Sequence, residues 1–200
     1  VVRTVALRGS FTLSAAIAAR IGTAELAAHQ VVLQVWGTLA LALDAVAIAG
    51  QSLTGNFLGA GDVERARGAA RRMIELDVVF GILAGLGIVA ARQPIAELFS
   101  TDPEVVSVSA FILLFVAVQQ PVNSVVFALD GILIGAGDLV YLAQTMVAST
   151  AIFAGLALTV LWTGAGLGWL WAALGVFMAL RAGFMWRRWL DDVWLVTGAG

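Results

Sequence analysis

Cysteine is absent from this sequence of 200 residues, which excludes a disulfide framework and a thiolate metal site. His29 is the sole histidine, so a histidine cluster is excluded as well. Charged residues make up only 12% of the chain, whereas soluble domains carry about 25%. With 61% hydrophobic residues and a mean hydropathy of +0.98, the sequence predicts an integral membrane protein.

Lysine is also absent, and all 11 basic residues are arginine. The formal net charge is -2, which gives no support for nucleic-acid binding. Residue 1 is valine and no signal-peptide pattern follows it, so we expect the sequence to be a piece of a longer protein.

Long apolar runs are the main feature of the sequence. A helix that crosses about 30 Å of hydrocarbon needs roughly 20 mostly apolar residues, and glycine, proline or charge divides the sequence into six such runs. They lie at 4–21, 28–57, 75–98, 105–134, 140–162 and 167–190. We therefore predict an all-α integral membrane fold, a single bundle of six transmembrane helices.

The arginines orient this bundle. With six crossings, most of them fall on one side of the membrane, and only Arg20 and Arg92 lie on the other. Because cytoplasmic loops are enriched in arginine, both ends of the segment and the 58–74 loop are predicted to be cytoplasmic. The residues on that side are Arg3, Arg8, Arg65, Arg67, Arg71, Arg72, Arg187 and Arg188.

A short internal repeat supports the same topology. Residues 53–62 read LTGNFLGAGD and residues 129–138 read LDGILIGAGD, with six identities in ten positions. Two crossings separate the copies, so both glycine turns are expected on the cytoplasmic face. Weak internal symmetry of this kind is common in secondary transporters, although glycine also ends helices for purely conformational reasons. The predicted turn or hinge glycines are Gly59, Gly61, Gly135 and Gly137.

Two polar stripes interrupt the apolar helices. On the second run, Gly37, Asp44 and Gln51 are spaced seven apart and share one helix face. On the fourth run, a second stripe flanks Pro121, which removes a backbone hydrogen bond and is predicted to kink the helix. The members of that stripe are Gln119, Asn123 and Asp130.

An acid in a membrane helix usually faces a cavity, a partner or a transported ion, since exposure to lipid costs about 2.5–3.5 kcal/mol. We therefore predict that Asp44, Gln51, Gln119, Asn123 and Asp130 line an ion-coupling or substrate cavity, with Asp44 as the deeper acid. The alternative is that each acid hydrogen-bonds a neighbouring helix or pairs with an arginine such as Arg181. No metal site is predicted.

The loop between the second and third runs is polar but helix-compatible. Its sequence at 62–72, DVERARGAARR, is typical of a short amphipathic helix at the inner membrane surface, with Asp62 as its N-cap. Glu75 and Asp77 follow this loop, at the expected N-terminus of the third helix. Acids there offset the helix dipole, so a structural role is expected for both.

Four segments together resemble the C-terminal half of a multidrug and toxic compound extrusion (MATE) transporter, and are most similar to its DinF-like branch. They are GTAELAAHQVVLQVW at 22–36, LDAVAIAGQSLTGNFLGAGD at 43–62, PIAELFSTDPEV at 94–105 and QPVNSVVFALDGILIGAGD at 120–138.

The resemblance implies one lobe of a twelve-helix transporter in the bacterial inner (plasma) membrane. It implies outward transport of small cationic or amphipathic substrates in exchange for protons or sodium, with no cofactor and no enzymatic activity. It further implies a missing N-terminal lobe, which in this family often carries the ion-binding carboxylates. Some branches carry an acid near the position of Asn123.

Two other functions are compatible with the composition. A flippase for lipid-linked precursors is one, and it would be expected to have a more basic cavity. A membrane-embedded transferase is the other, and it needs paired carboxylates for magnesium and diphosphate chemistry. The only adjacent acids, Asp191 and Asp192, follow the last predicted helix.

Overall fold

The computed structural model describes residues 2–198 and is built from six α-helices in that range. This confirms the predicted all-α fold and its helix number. The helices are α1 (Val2–Ile21), α2 (Thr23–Gly59), α3 (Val63–Phe99), α4 (Pro103–Gly135), α5 (Leu139–Thr163) and α6 (Leu167–Leu190). Within the described residues, α2 to α6 are long and apolar enough to cross a membrane, whereas α1 carries Arg3, Arg8 and Arg20 in its 20 residues and does not reach that level.

Helix α3 differs most from the sequence prediction. It begins at Val63, so the prediction of a separate short helix at 62–72 is wrong. Residues 63–72 form the beginning of α3. Alanine and arginine are good helix formers, and nothing in the segment ends the helix. Asp62 is the N-cap, as predicted, and accepts a hydrogen bond from the backbone N–H of Arg65 at 3.0 Å. At 37 residues α3 is about 55 Å long, well beyond the hydrocarbon thickness of about 30 Å.

The two copies of the internal repeat form the same helix end. At the end of α2, the N–H of Asp62 donates to Phe57 O at 2.8 Å and that of Gly61 to Leu58 O at 3.0 Å. At the end of α4, Asp138 and Gly137 repeat the pattern at 2.9 and 3.0 Å. This is the Schellman motif, which needs a left-handed residue after the helix. Gly61 and Gly137 supply it, with φ of 77° and 79°.

Helix α4 lies at the centre of the bundle and packs against α2, α3 and α6, while α5 packs against α1 and α6. Two glycines bring α4 against α2 without intervening side chains. A Cβ on Gly131 would overlap the backbone of Ala47, and one on Gly135 would overlap the backbone of Gln51. Small residues allow this kind of close backbone approach between membrane helices. The largest fully buried side chains around α4 include Ile112, Leu113, Leu129, Ile132, Leu133, Phe153, Trp171 and Phe177.

Candidate ion and substrate site

The polar stripe of α2 lies on the outside of this bundle. Asp44 and Gln51 are exposed, and so are Leu41 and Ile48 beside them, at 73% and 62%. The buried side of the same helix is formed by small and apolar residues such as Leu43 and Ala47. Asp44 and Gln51 are therefore separated from the interior of the lobe.

The polar stripe of α4 lies inside. The Gln119 amide donates from Nε2 to the carbonyl oxygen of Trp171 on α6, at 3.0 Å. Asn123, one turn further, is 1% exposed, and neither atom of its amide has a hydrogen-bond partner. The structure thus places Gln119, Asn123 and Asp130 within the lobe but does not bring Asp44 or Gln51 to them.

Asp130 joins three helices through ion pairs. Its Oδ2 accepts from Nη2 of Arg181 on α6 at 2.5 Å, and its Oδ1 lies 3.0 Å from Nη1 of Arg3 on α1. The Arg181 guanidinium is almost fully buried and also lies 5.7 Å from the centre of the Phe177 ring. A buried guanidinium needs a counter-charge, so this geometry matches the structural alternative for Asp130, pairing with Arg181.

Pro121 lies within α4, which continues through it. Because proline has no N–H, the carbonyl of Ala117 four residues earlier loses its helical partner. Gly85 of α3 lies against this carbonyl, where a Cβ would stand 2.6 Å from Ala117 O. A neighbouring helix therefore covers the backbone group that Pro121 leaves free.

Sequence reasoning missed a second set of buried polar residues. Asp77 is 0% exposed, and neither of its carboxyl oxygens has a hydrogen-bond partner. The prediction that Asp77 lies at a helix N-terminus is wrong, because α3 begins 14 residues earlier at Val63. The signal in the sequence was the four-residue spacing of Asp77, Gly81 and Gly85, which puts the acid on the face where α3 packs closely.

His29 is also fully buried, near the beginning of α2. Its Nε2 lies 3.2 Å from Ser14 Oγ on α1, and its ring is 5.6 Å from the ring of Trp171. Ser14 also donates to the Phe11 carbonyl at 2.8 Å. His29 thus connects α2 to α1 through a polar contact and to α6 through a ring contact, and sequence spacing alone did not bring these residues together.

The acids after α6 do not form a diacid site. Asp192 pairs with Arg67 of α3 at 2.9 Å, whereas Asp191 lies 3.8 Å from Arg187. Each carboxylate therefore has its own arginine, and the paired arrangement that a magnesium-dependent transferase needs is not formed by these two residues.

Comparisons with known proteins agree with the architecture. The family model MatE matches residues 2–161. Protein DETOXIFICATION 43 of Arabidopsis thaliana is 38% identical over 180 residues, which is 90% of this chain and 34% of the plant protein. DNA damage-inducible protein F of Escherichia coli is 27% identical over 199 residues, 98% of this chain and 43% of that protein. Because the identity to the plant protein is higher, the DinF-like branch is not confirmed.

Among solved structures, a MOP superfamily transporter from Pyrococcus furiosus superimposes with a TM-score of 0.85 at 18% identity. The match covers 98% of this chain and 44% of that one, and it shows the fold. The chain spans about a third of the length of the plant relative. On the family match and the plant identity together, the chain belongs to the MatE family, whose members are multi-pass membrane transporters and not enzymes.

Proposed function

We propose that this chain is one lobe of an efflux transporter that exchanges small cationic or amphipathic compounds for protons or sodium. The protein works by alternating access, in which ion binding and substrate binding favour different orientations of two lobes. In this proposal the membrane is the bacterial inner membrane, and both ends of the segment are cytoplasmic.

The exposed acid on α2 carries the proposal. Asp44 stands between the exposed apolar side chains of Leu41 and Ile48, so this face has the composition of a membrane helix with one carboxylate in it. The cost of placing that carboxylate in lipid, about 2.5–3.5 kcal/mol, opposes a lipid-facing orientation. A cavity between this lobe and a second one removes the cost. The relatives are long enough to supply the second lobe, because this chain covers only 34% of the plant protein.

Within that cavity Asp44 is the proposed ion-coupling group, and Gln51 is the polar group two turns away on the same face. A carboxylate accepts a proton, and carboxylate and amide oxygens are hard ligands suited to sodium. Gln119, Asn123 and Asp130 form the interior part of the proposed site. The unpartnered amide of Asn123 supports a water molecule or an ion there, since buried polar groups normally have partners.

The repeated helix ends are the proposed hinges. Gly61 and Gly137 adopt the left-handed conformation at which α2 and α4 stop, and Gly59 and Gly135 lie in the last turns. Pro121 is the proposed flexible point within α4, because the backbone hydrogen bond missing there weakens the helix.

The test is transport by the intact protein in liposomes. Ethidium, a cationic amphipathic dye, is loaded on one side, and a proton gradient or a sodium gradient is imposed separately. We expect one of the two gradients to drive dye movement, and dissipating that gradient to abolish it. Dye movement that is equal with and without both gradients contradicts antiport.

The flippase alternative requires a basic cavity. Arg181 is the buried arginine that would provide it, and its charge is already paired with Asp130. No contact in the described residues favours this function over efflux. We also propose that the chain belongs to the DinF-like branch, which the 98% coverage by the Escherichia coli protein supports.

A further inference from the structure

Asp77 lies on the buried face of α3, a helix that packs against α2 and α4. It is the fifteenth residue of α3, on the buried face that also includes Met73, Gly81 and Gly85. Its exposure is 0%, and both carboxyl oxygens are without hydrogen-bond partners. An ionised carboxylate in such a position would be left without water, donor or counter-charge.

The α4 side of this contact is polar but uncharged. One turn after Asp77, Gly81 lies against the Gln120 carbonyl, where a Cβ would stand at 2.8 Å, and a Cβ would also overlap Ser124 Oγ. The Ser124 hydroxyl donates to that same carbonyl at 2.9 Å. The Gln120 side chain is 1% exposed, and its amide oxygen and nitrogen both lack partners. A carboxyl group and a carboxamide are thus buried without partners on the two sides of one helix contact.

The α2 side is uncharged. The buried residues of α2 there include Gly50, against which the Met73 side chain packs, and, one turn later, Thr54, whose hydroxyl has no hydrogen-bond partner. The acid of α2, Asp44, is exposed and lies on another face of that helix.

The charged groups nearest to Asp77 in sequence, and the half-buried acid of α4, are engaged elsewhere. On α3, Glu75 is exposed and pairs with Arg71 and Arg72, each at 3.1 Å. On α4, Asp130 pairs with Arg3 and Arg181. In the part of the chain that the structure describes, no arginine forms an ion pair with Asp77.

From this geometry we propose that Asp77 is a proton-binding site of the lobe, neutral while α3 and α4 are packed as seen here and able to release its proton when they separate. A buried carboxylate without a counter-charge is strongly disfavoured, whereas a carboxylic acid is a donor that can use the carbonyl or amide oxygens of α4. At Gly81 and Gly85, α3 presents no side chain to α4, so the two backbones approach closely there. A small separation of the two backbones would admit water to the acid.

The role of this proton in coupling rests on the proposed antiport, but the protonated acid can be tested without transport. Infrared spectroscopy separates the carbonyl stretch of a carboxylic acid from the bands of a carboxylate. The intact protein is purified after labelling aspartate with 13C at the side-chain carboxyl, and spectra are recorded near neutral pH. We expect a carboxylic acid band that shifts with the label.

Three variants assign the band. Asp77→Asn removes it, Asp77→Glu replaces it with a band that no longer shifts with the aspartate label, and Glu75→Gln leaves it unchanged. Glu75→Gln is the matched control, since it removes an exposed acid two residues away on the same helix. Should Asp77→Asn fail to fold, the wild type and Asp77→Glu suffice for the assignment.

Three results overturn the proposal. One is the absence of a labelled acid band in the wild type, and another is a labelled band that keeps its full intensity in Asp77→Asn. The third is loss of the wild-type band on addition of sodium chloride but not of choline chloride, which makes Asp77 a sodium ligand. If the band behaves as expected and ethidium is not transported, the proposed efflux function fails and the proton site stands.

Discussion

Arg181 on α6 donates to Asp130 on α4 at 2.5 Å, and the arginine side chain is only 6% exposed while that of the aspartate is 15% exposed. The pair fixes the end of α4 relative to α6, and Arg3 adds α1 to the same carboxylate. Removing one partner of a buried pair leaves the other charge uncompensated, which costs more than the pair contributes.

We expect Asp130→Asn to lower the free energy of unfolding by about 3 kcal/mol, the lower end of the range for broken buried pairs because the carboxylate is partly exposed. The measurement is denaturation of the protein in detergent, followed by tryptophan fluorescence. Arg67→Gln is the control, because it breaks the exposed pair with Asp192 and should change stability by less than about 1 kcal/mol. The double variant Asp130→Asn with Arg181→Met should lose less free energy of unfolding than the two single variants lose together. Strict additivity of the two losses would contradict a stabilising interaction between Asp130 and Arg181.

Asp44→Asn is expected to affect transport but not folding. The side chain is exposed in the lobe and the substitution preserves its shape, so the melting temperature should stay within error of wild type. Ion-driven ethidium transport in liposomes should fall about fivefold or more, as expected for the loss of a coupling free energy of 1–3 kcal/mol. Glu104→Gln, an exposed acid in the first turn of α4, is the control and should transport normally. Transport at the wild-type rate in Asp44→Asn would remove this residue from the coupling site.

Gly131→Ala and Gly135→Ala should each destabilise the lobe by about 1–3 kcal/mol, the usual cost of overpacking. The added methyl groups would overlap the backbones of Ala47 and Gln51, which cannot move aside as a flexible side chain can. Gly87→Ala is the matched control on α3, since its Cβ would have nothing within 4 Å. There alanine should stabilise the helix by about 0.5–1 kcal/mol. Equal effects of Gly131→Ala and Gly87→Ala on thermal melting would contradict the close contact of α2 and α4.

The two helix ends of the repeat should respond alike. Gly61→Ala and Gly137→Ala each force a Cβ into the left-handed region, at a cost of about 1–2 kcal/mol. Gly59→Ala is the control two residues before Gly61, at the last helical residue of α2, where the space is open, so it should not destabilise the protein. The comparison is made by thermal melting of the three single variants. A large cost at Gly137 with none at Gly61 would mean that the two turns are not structurally equivalent.

The sequence predicted the helices well because apolar length is the main requirement for crossing a membrane. It placed the beginning of α3 wrongly, since an arginine-rich segment looks like a loop on a hydropathy profile although alanine and arginine favour a helix. Periodicity also showed that Asp44 shares a face with Gln51. It could not show which way that face points, because the direction depends on neighbouring helices that are distant in the sequence.

Asp77 was misjudged for the same reason as the helix start. With α3 expected to begin at 75, the acid belonged to a first turn, where it would compensate the helix dipole. Its true depth follows only once Val63 is known to begin the helix. The pairing of Asp130 with Arg181 was available from the sequence as an alternative, but only tertiary structure could select it over an open cavity.

Helix α3 is continuous from its arginine-rich beginning to its buried middle. Its first 12 residues carry Arg65, Arg67, Arg71 and Arg72, and the same unbroken rod continues to Asp77. An α-helix transmits rotation and displacement along its axis, so a pull on those arginines by anionic lipid headgroups would also move the buried acid, which lies about 8 to 18 Å further along the helix. In the proposed orientation and with the proposed proton site, surface charge at the inner leaflet would therefore be coupled to the protonation of Asp77.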